Sequence, residues 1–255
     1  MELADLQKNW NEFGKRDPLW AILTDPAKQG NRWSSDEFFQ TGRREITALL
    51  AHLHSLSIAP PTGRALDFGC GVGRLTQALA MHFNSVTGID IAPSMLELAE
   101  RYNAHGPRCS YLLNEENNLH IFAEDTFAFV YSNYTLQHMP PEHATRYITE
   151  FIRVLRPGGI AVFQLPSATV RTAREHIKAA LPPRLLHLAR RVRHGTRTDG
   201  PTMETHVMAR EVVEGLLTAS GAQVIHVLHN PRHDRRWTSL LYYAAKPALD
   251  HSPAI

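Results

Sequence analysis

Cysteine is scarce. Cys70 and Cys109 are the two in 255 residues, too few for a disulfide framework or a zinc site by themselves. Long apolar runs are missing, since no stretch approaches the roughly 20 residues that a membrane span needs. A cationic leader is missing too: Met1-Glu2-Leu3-Ala4-Asp5 carries acids, and no apolar stretch follows. No charge of one sign dominates, because 27 Lys and Arg stand against 25 Asp and Glu for a net +2, so total charge points to no polyanionic partner. Internal repeats and low-complexity tracts are absent. What is there is 43% hydrophobic and 20% charged, and long enough for one large domain or a domain with an embedded cap. The expectation is a soluble, cytoplasmic, globular protein.

Four stretches follow one another. Residues 1–60 read as a helical, aromatic-rich N-terminal cap containing Trp10, Phe13, Trp20, Trp33, Phe38 and Phe39, with a helix from about Asp36 to His54. Residues 61–166 alternate short apolar runs with helical patterns, the mark of a parallel α/β core. Its strands are Ala65 to Phe68, Val86 to Asp90, Ser110 to Leu113, Phe127 to Ser132 and Ile160 to Phe163. Ser94 and Glu97 have the spacing of a capping box. Ala144, Tyr147, Ile148, Phe151, Ile152 and Leu155 give a helix after Pro141 one buried stripe. Residues 167–208 break the alternation and read as a basic helical insertion with a Pro182-Pro183 hinge. Residues 209–255 complete the core with a helix from about Ala209 to Ser220 and strands Gln223–Leu228 and Ser239–Ala245.

The strand Ala65-Leu66-Asp67-Phe68 ends in Gly69-Cys70-Gly71-Val72-Gly73. Such a turn lets backbone approach a ligand closely at a helix N-terminus. A dinucleotide loop wants G-x-G-x-x-G, but the third glycine position of that pattern is Arg74 here. Asp67 would also repel a pyrophosphate, by ~4 kcal/mol per pair of unit charges at intermediate dielectric. A ligand with an ammonium and a sulfonium but no phosphate has the opposite preference, and S-adenosylmethionine is that ligand. Asp90, at the end of the second strand, suits ribose hydroxyls in either cofactor class. The bland alternative makes both acids caps of nearby turns.

Residues 65–73 resemble the first motif of the class I S-adenosylmethionine-dependent methyltransferases. Asp90, Phe127 to Ser132, and Leu155-Arg156-Pro157-Gly158-Gly159 resemble that family's later motifs, in order. The resemblance implies a Rossmann-like, seven-stranded, mostly parallel α/β sheet with the last strand antiparallel, and a cofactor at the strands' C-terminal edge. It implies Asp67 near the methionine ammonium, Gly69, Cys70 and Gly71 against the cofactor, and Asp90 with Ile91 at the ribose. Asn114, with Glu115 and Asn118 behind it, would stand near the adenine, and Ser132-Asn133 near the methionine moiety.

Narrower subtypes lack their marks. Ser132-Asn133-Tyr134 offers no carboxylate to hold a hard cation, so no metal is expected. The Asn/Asp-Pro-Pro-aromatic turn of enzymes that methylate base amines is replaced by Asn133-Tyr134-Thr135-Leu136, which argues against nucleic acid as substrate. His226, His229 and His233 suggest a metal, but positions 226 and 229 of a strand point to opposite faces. Methyl transfer from a sulfonium chiefly needs alignment. If a general base is needed, His138 in Gln137-His138-Met139-Pro140 is the first candidate, Tyr134 could position the nucleophile, and Glu204 and His206 come next. His138 could equally bond the backbone and shape the pocket.

Charge is uneven along the chain. Residues 170–197 carry a local net of +7, leaving −5 elsewhere. That stretch could receive an anionic substrate, dock a protein or RNA, or be a solvated face. Residues 1–60 and 167–208 either enclose the substrate or form a homo-oligomer contact. The leading expectation is methyl transfer to O, N or S of a small molecule. The alternatives are protein or RNA methylation, a non-catalytic S-adenosylmethionine-binding protein, and a nicotinamide oxidoreductase.

Overall fold

Ala65, Leu66, Asp67 and Phe68 are all buried, as a central parallel strand covered on both faces demands. They form β1 (Arg64–Phe68) in a computed structural model that describes residues 2–59, 61–169, 200–230 and 237–248. With β2 (Ser85–Asp90), β3 (Cys109–Leu113), β4 (Phe127–Ser132), β5 (Leu155–Thr169), β6 (Gln223–His229) and β7 (Trp237–Ala245) it makes one sheet, ordered β3-β2-β1-β4-β5-β7-β6. The pairs among β1 to β5 are parallel, and β7 runs antiparallel to both β5 and β6. This is the expected Rossmann-like sheet with its last strand reversed. The chain steps outward from β1 to β2 and β3, then returns to place β4 on the other side of β1. That reversal opens a crevice beyond the C-terminal ends of β1 and β4.

β5 is longer than the expected Ile160 to Phe163. Leu155 already pairs with Phe127, and the register shifts between Phe127 and Phe129. Beyond Phe163 the strand continues against β7 as far as Thr169. Of the helical insertion expected over 167–208, residues 167–169 belong to β5 and 200–208 form no helix, while the basic stretch 170–197 with the Pro182-Pro183 hinge lies outside the described residues, as does His233.

Alternation along β1 sorts its side chains to two faces. Leu66 and Phe68 pack with Tyr147, Ile148 and Phe151 of α6 (Pro141–Val154) and with Val213 and Leu217, which belong to α7 (Arg210–Ala219). Ala65 packs on the opposite layer, against α3 (Ser35–Ser55), α4 (Arg74–Leu79) and α5 (Pro93–Tyr102).

The N-terminal aromatics build a third cluster over the sheet's edge. Phe13 of α1 (Leu3–Arg16), Leu19 and Ala21 of α2 (Pro18–Ile22), and Phe38 of α3 pack with Val72, Ala92 and Met95. Phe38 is fully buried, which contributes about 1.5–3 kcal/mol relative to exposure. The expected capping box at Ser94 and Glu97 does not form. α5 begins at Pro93, and its Ser94 is engaged by Asn11 of α1. The Asn11 Oδ1 accepts from the Ser94 N–H at 2.9 Å, and the Ser94 hydroxyl donates to the Asn11 carbonyl at 2.9 Å. A long-range cap has replaced the local one.

Candidate cofactor and active site

The glycine loop takes its shape from three left-handed residues: Gly69, Gly71 and Gly73 have φ of 73°, 53° and 81°. Gly69 also needs its missing side chain, because a Cβ there would meet the Thr135 methyl at 2.2 Å. The N–H groups of Gly69 and Cys70 both donate to the Ile89 carbonyl at 2.9 Å, which fastens the loop to the end of β2.

Asp90 is held by backbone. Its Oδ2 accepts from the Gly71 N–H at 2.8 Å and its Oδ1 from the Ala92 N–H at 2.9 Å. Burial raises its pKa from the ordinary carboxylate value, and those two N–H groups oppose the rise. Each oxygen keeps a free lone pair, and Asp90 lines the cleft.

Asp67 lies behind the loop and is fully buried. Its Oδ2 accepts from the Thr76 hydroxyl at 2.7 Å, while Oδ1 has no hydrogen-bond partner. Burial pushes its pKa up to about 7, against the opposing effects of Thr76 and Arg74. Cys70 is buried as well, and that burial carries its thiol well above the ordinary pKa, so it packs as a neutral side chain.

The cleft is lined by Gly69, Gly71, Asp90, Ile91, Asn114, Asn133, Tyr134 and His138 from the expected set. Asp67, Cys70 and Ser132 stand behind this wall, and Ser132 donates to the Phe68 carbonyl at 3.1 Å. Asn114 spends its amide hydrogens on the carbonyls of Glu116 and Asn118, at 3.1 and 3.2 Å, and so shapes its own loop. Glu115 turns away to accept from Gln7 at 2.6 Å, and Asn118 accepts from the His120 N–H. Neither lines the cleft.

A chain of side-chain bonds fixes the turn after β4. Gln164 donates to Ser239 at 2.7 Å and to Gln137 at 3.1 Å, and its carbonyl oxygen accepts from the Tyr134 N–H at 3.2 Å. Tyr134 has φ of 60°, a strained value for a side chain of this size. His138 Nδ1 lies 2.6 Å from the Glu204 carbonyl, which accepts and therefore requires the proton on Nδ1. Nε2 is then the acceptor for Gln137, 3.0 Å away. Both ring nitrogens serve the wall. His206 contributes its N–H to the Gln137 carbonyl at 2.7 Å and pairs with Glu204 at 3.4 Å, outside the lining.

Residues 1–60 were expected either to enclose the substrate or to form an oligomer contact, with no residue assigned to a roof. Leu3, Leu6 and Trp10 of α1, and Ala21 and Ile22 of α2, close the cleft from above. The Trp10 ring lies 5.2 Å from the His138 ring. Ile22 reaches so close to the loop that a Cβ on Gly71 would meet its Cδ1 at 2.6 Å. The aromatic richness of residues 1–60 was visible, but not which side chains face inward. Among the described residues, no three His, Cys, Asp or Glu side chains converge as a metal site. His226 lies beside His52, ring centroids 5.2 Å apart, far along the sheet from this cleft.

Residues 65–159 match the family model described as a methyltransferase domain. These residues are therefore similar to a methyltransferase domain. Among curated proteins, the chain is 27% identical over 161 residues to the 2-methyl-6-phytyl-1,4-hydroquinone methyltransferase of Synechocystis, covering 63% of this chain and 49% of that one. It is 26% identical over 184 residues to the trans-aconitate 2-methyltransferase of Deinococcus radiodurans, covering 72% and 69%. The chain thus spans about half the length of the first relative. Magnesium protoporphyrin IX methyltransferase from Synechocystis, crystallised with S-adenosylhomocysteine, superposes with a TM-score of 0.63 over 96% of this chain and 100% of that one, at 16% identity. That likeness is one of fold. No helix among the described residues is long and apolar enough to cross a membrane.

Proposed function

We propose that this protein binds S-adenosylmethionine in the cleft and transfers its methyl group to an O, N or S atom of a small molecule. The observation that carries the reading is Asp90, gripped by two backbone N–H groups beside the glycine loop, in a lining that holds no lysine or arginine among the described residues. A pyrophosphate would meet the Asp90 carboxylate there with no cation in the lining; a sulfonium and an ammonium would find complementary charge. The residues fit the cofactor: Asp90 for the ribose hydroxyls, Gly69 and Gly71 for close backbone approach, Asn114 at the adenine side, and Asn133 on the methionine side, with Asp67 buried behind the loop. When bound, the cofactor supplies an electrophilic methyl group on a good leaving group.

The chain's own contribution is alignment and exclusion of water. Trp10, Leu6 and Met139 line the cleft beside Tyr134 and His138 and suit an acceptor with an apolar or aromatic body. The hydroquinone and aconitate in the relatives' names support a small-molecule acceptor. Anionic character of the acceptor rests on residues 170–197 alone. His138 shapes the wall in this arrangement and becomes a base only after releasing Gln137. Ser132 and Asn133 bring no carboxylate, so the transfer should proceed in the presence of a chelator.

The test is a methyl-donor assay with labelled S-adenosylmethionine against pools of metabolites, peptides and RNA. Label in the metabolite fraction, retained with chelator, is expected. Label confined to peptides or RNA would overturn the small-molecule reading. Cofactor binding without turnover on any pool would make the protein a non-catalytic binder.

A further inference from the structure

Helix α3 presses unusually close to α4. At Gly42 a Cβ would meet the Arg74 carbonyl oxygen at 2.5 Å, so the absence of a side chain there sets the helix spacing. One turn further on, this closeness brings Glu45 to the edge of the cleft. Three donors converge on its carboxylate. Oε2 accepts from the Arg74 guanidinium at 2.9 Å, and Oε1 accepts from the Tyr131 hydroxyl at 2.9 Å and the Asn133 amide at 2.6 Å. Arg74 is 2% exposed, so this ion pair sits where solvent screens little.

The consequence falls on Asn133. An ionised carboxylate accepts and cannot donate, so it fixes which end of the Asn133 amide faces it. The nitrogen points to Glu45, and the carbonyl oxygen is turned the other way. That oxygen is buried without a hydrogen-bond partner, on a residue that lines the cleft. A buried acceptor without a donor costs about 1–3 kcal/mol unless a ligand supplies one. The surroundings select a cationic donor, because the carboxylates of Glu45 and Asp90 both lie near enough to act on Asp67, with Arg74 as the nearby cation. Neither Asp67 nor Asp90 is bonded to the Asn133 oxygen.

We propose that Glu45 is a positioning residue that locks the Asn133 amide so that its carbonyl oxygen receives the ammonium group of the cofactor. The proposal rests on the S-adenosylmethionine reading above and adds a part of the site supplied by the N-terminal cap. Glu45 touches no ligand; it acts through Asn133. α3 is therefore part of the binding machinery as well as of the packing.

Three probes separate this role from general stability. S-adenosylmethionine carries ammonium and carboxylate, its decarboxylated form carries the ammonium alone, and 5′-methylthioadenosine carries neither. Equilibrium binding of each is measured on the parent, on Glu45→Gln and on Asn133→Leu. Both variants should lose about tenfold or more for the two ammonium-bearing probes and keep methylthioadenosine within about twofold. The double variant should bind no worse than either single one, the signature of residues acting as a unit. Asn133→Leu leaves the Glu45–Arg74 pair in place, so it carries the test even if Glu45→Gln misfolds. Equal losses for all three probes, or no loss for any, would overturn the positioning role while the cofactor reading stands. A parent that binds none of the three overturns both.

Discussion

Asp90 and Trp10 face the same cleft, yet they are held there by different means. Asp90 is fixed by backbone N–H groups of Gly71 and Ala92, neighbours in the chain's own β1–loop–β2 unit. Trp10 is fixed by packing, its ring 5.3 Å from Phe13 and 5.2 Å from His138. The floor of the cleft is thus a local backbone device, and the roof is an assembly of side chains from distant segments. Backbone devices demand particular residue types at particular spacings. Packing asks only for apolar bulk on the right face of a helix. The first kind of construction should be brittle to substitution and the second tolerant.

The largest effect should come from the floor's buried acid. The folded state keeps the Asp67 proton up to about pH 7, whereas the unfolded chain releases it near the ordinary ~3.9. Its folded-state pKa is raised, so the folded state is favoured below about pH 4. That contribution is lost as pH rises to about 7, and is flat beyond. At roughly 1.4 kcal/mol per unit, the loss is on the order of 4 kcal/mol. Asp67→Asn should flatten the pH dependence of denaturant unfolding between pH 4 and 7 and make the variant more stable than the parent at pH 8. An unchanged slope would show that Asp67 ionises freely in the fold.

Gly69→Ala should come next. Its φ of 73° and the Thr135 methyl, 2.2 Å from the new Cβ, together should cost about 2 kcal/mol or more. Thermal unfolding would fall by roughly 4–8 °C in a chain of this size. A variant that melts with the parent would break the contrast between floor and roof.

Asp90→Ala should weaken S-adenosylhomocysteine by at least about tenfold, the equivalent of ~1.4 kcal/mol, read by calorimetric titration. An unchanged affinity in a folded variant would place the ribose elsewhere.

The roof supplies the smallest effect. Asn11→Ala removes the acceptor that caps α5 at Ser94, at a cost of about 1 kcal/mol. The melting temperature should drop by about 2–4 °C, with S-adenosylhomocysteine affinity held within about twofold. A large loss of affinity instead would mean that the roof shapes the cofactor site as directly as the floor does.

The same division explains what could be read from the sequence. Residues 65–73, Asp90 and the Arg156–Gly159 segment were legible because tight turns and close approaches need glycine and strand-end acids in fixed order. The seven-stranded sheet and its reversed last strand were implied by the family resemblance that those motifs carry. Ser94 and Glu97 misled because a serine hydroxyl can serve a partner 83 positions away as readily as its own helix. Asn114 lines the cleft while Glu115 and Asn118 do not; a run of polar residues leaves its register open until the loop is folded. Glu45 left no local signal at all. It reads as one more acid on an amphipathic helix, and its meaning depends on Gly42 bringing α3 against Arg74.

The central claim is that this cleft takes an adenosine-bearing sulfonium cofactor rather than a dinucleotide. Isothermal titration of the full chain with S-adenosylhomocysteine, and separately with NAD and NADP, tests it most directly. The account predicts saturable one-to-one binding of S-adenosylhomocysteine with a negative heat-capacity change, and no measurable heat from either dinucleotide. Saturable binding of NAD or NADP, with none of S-adenosylhomocysteine, would contradict it.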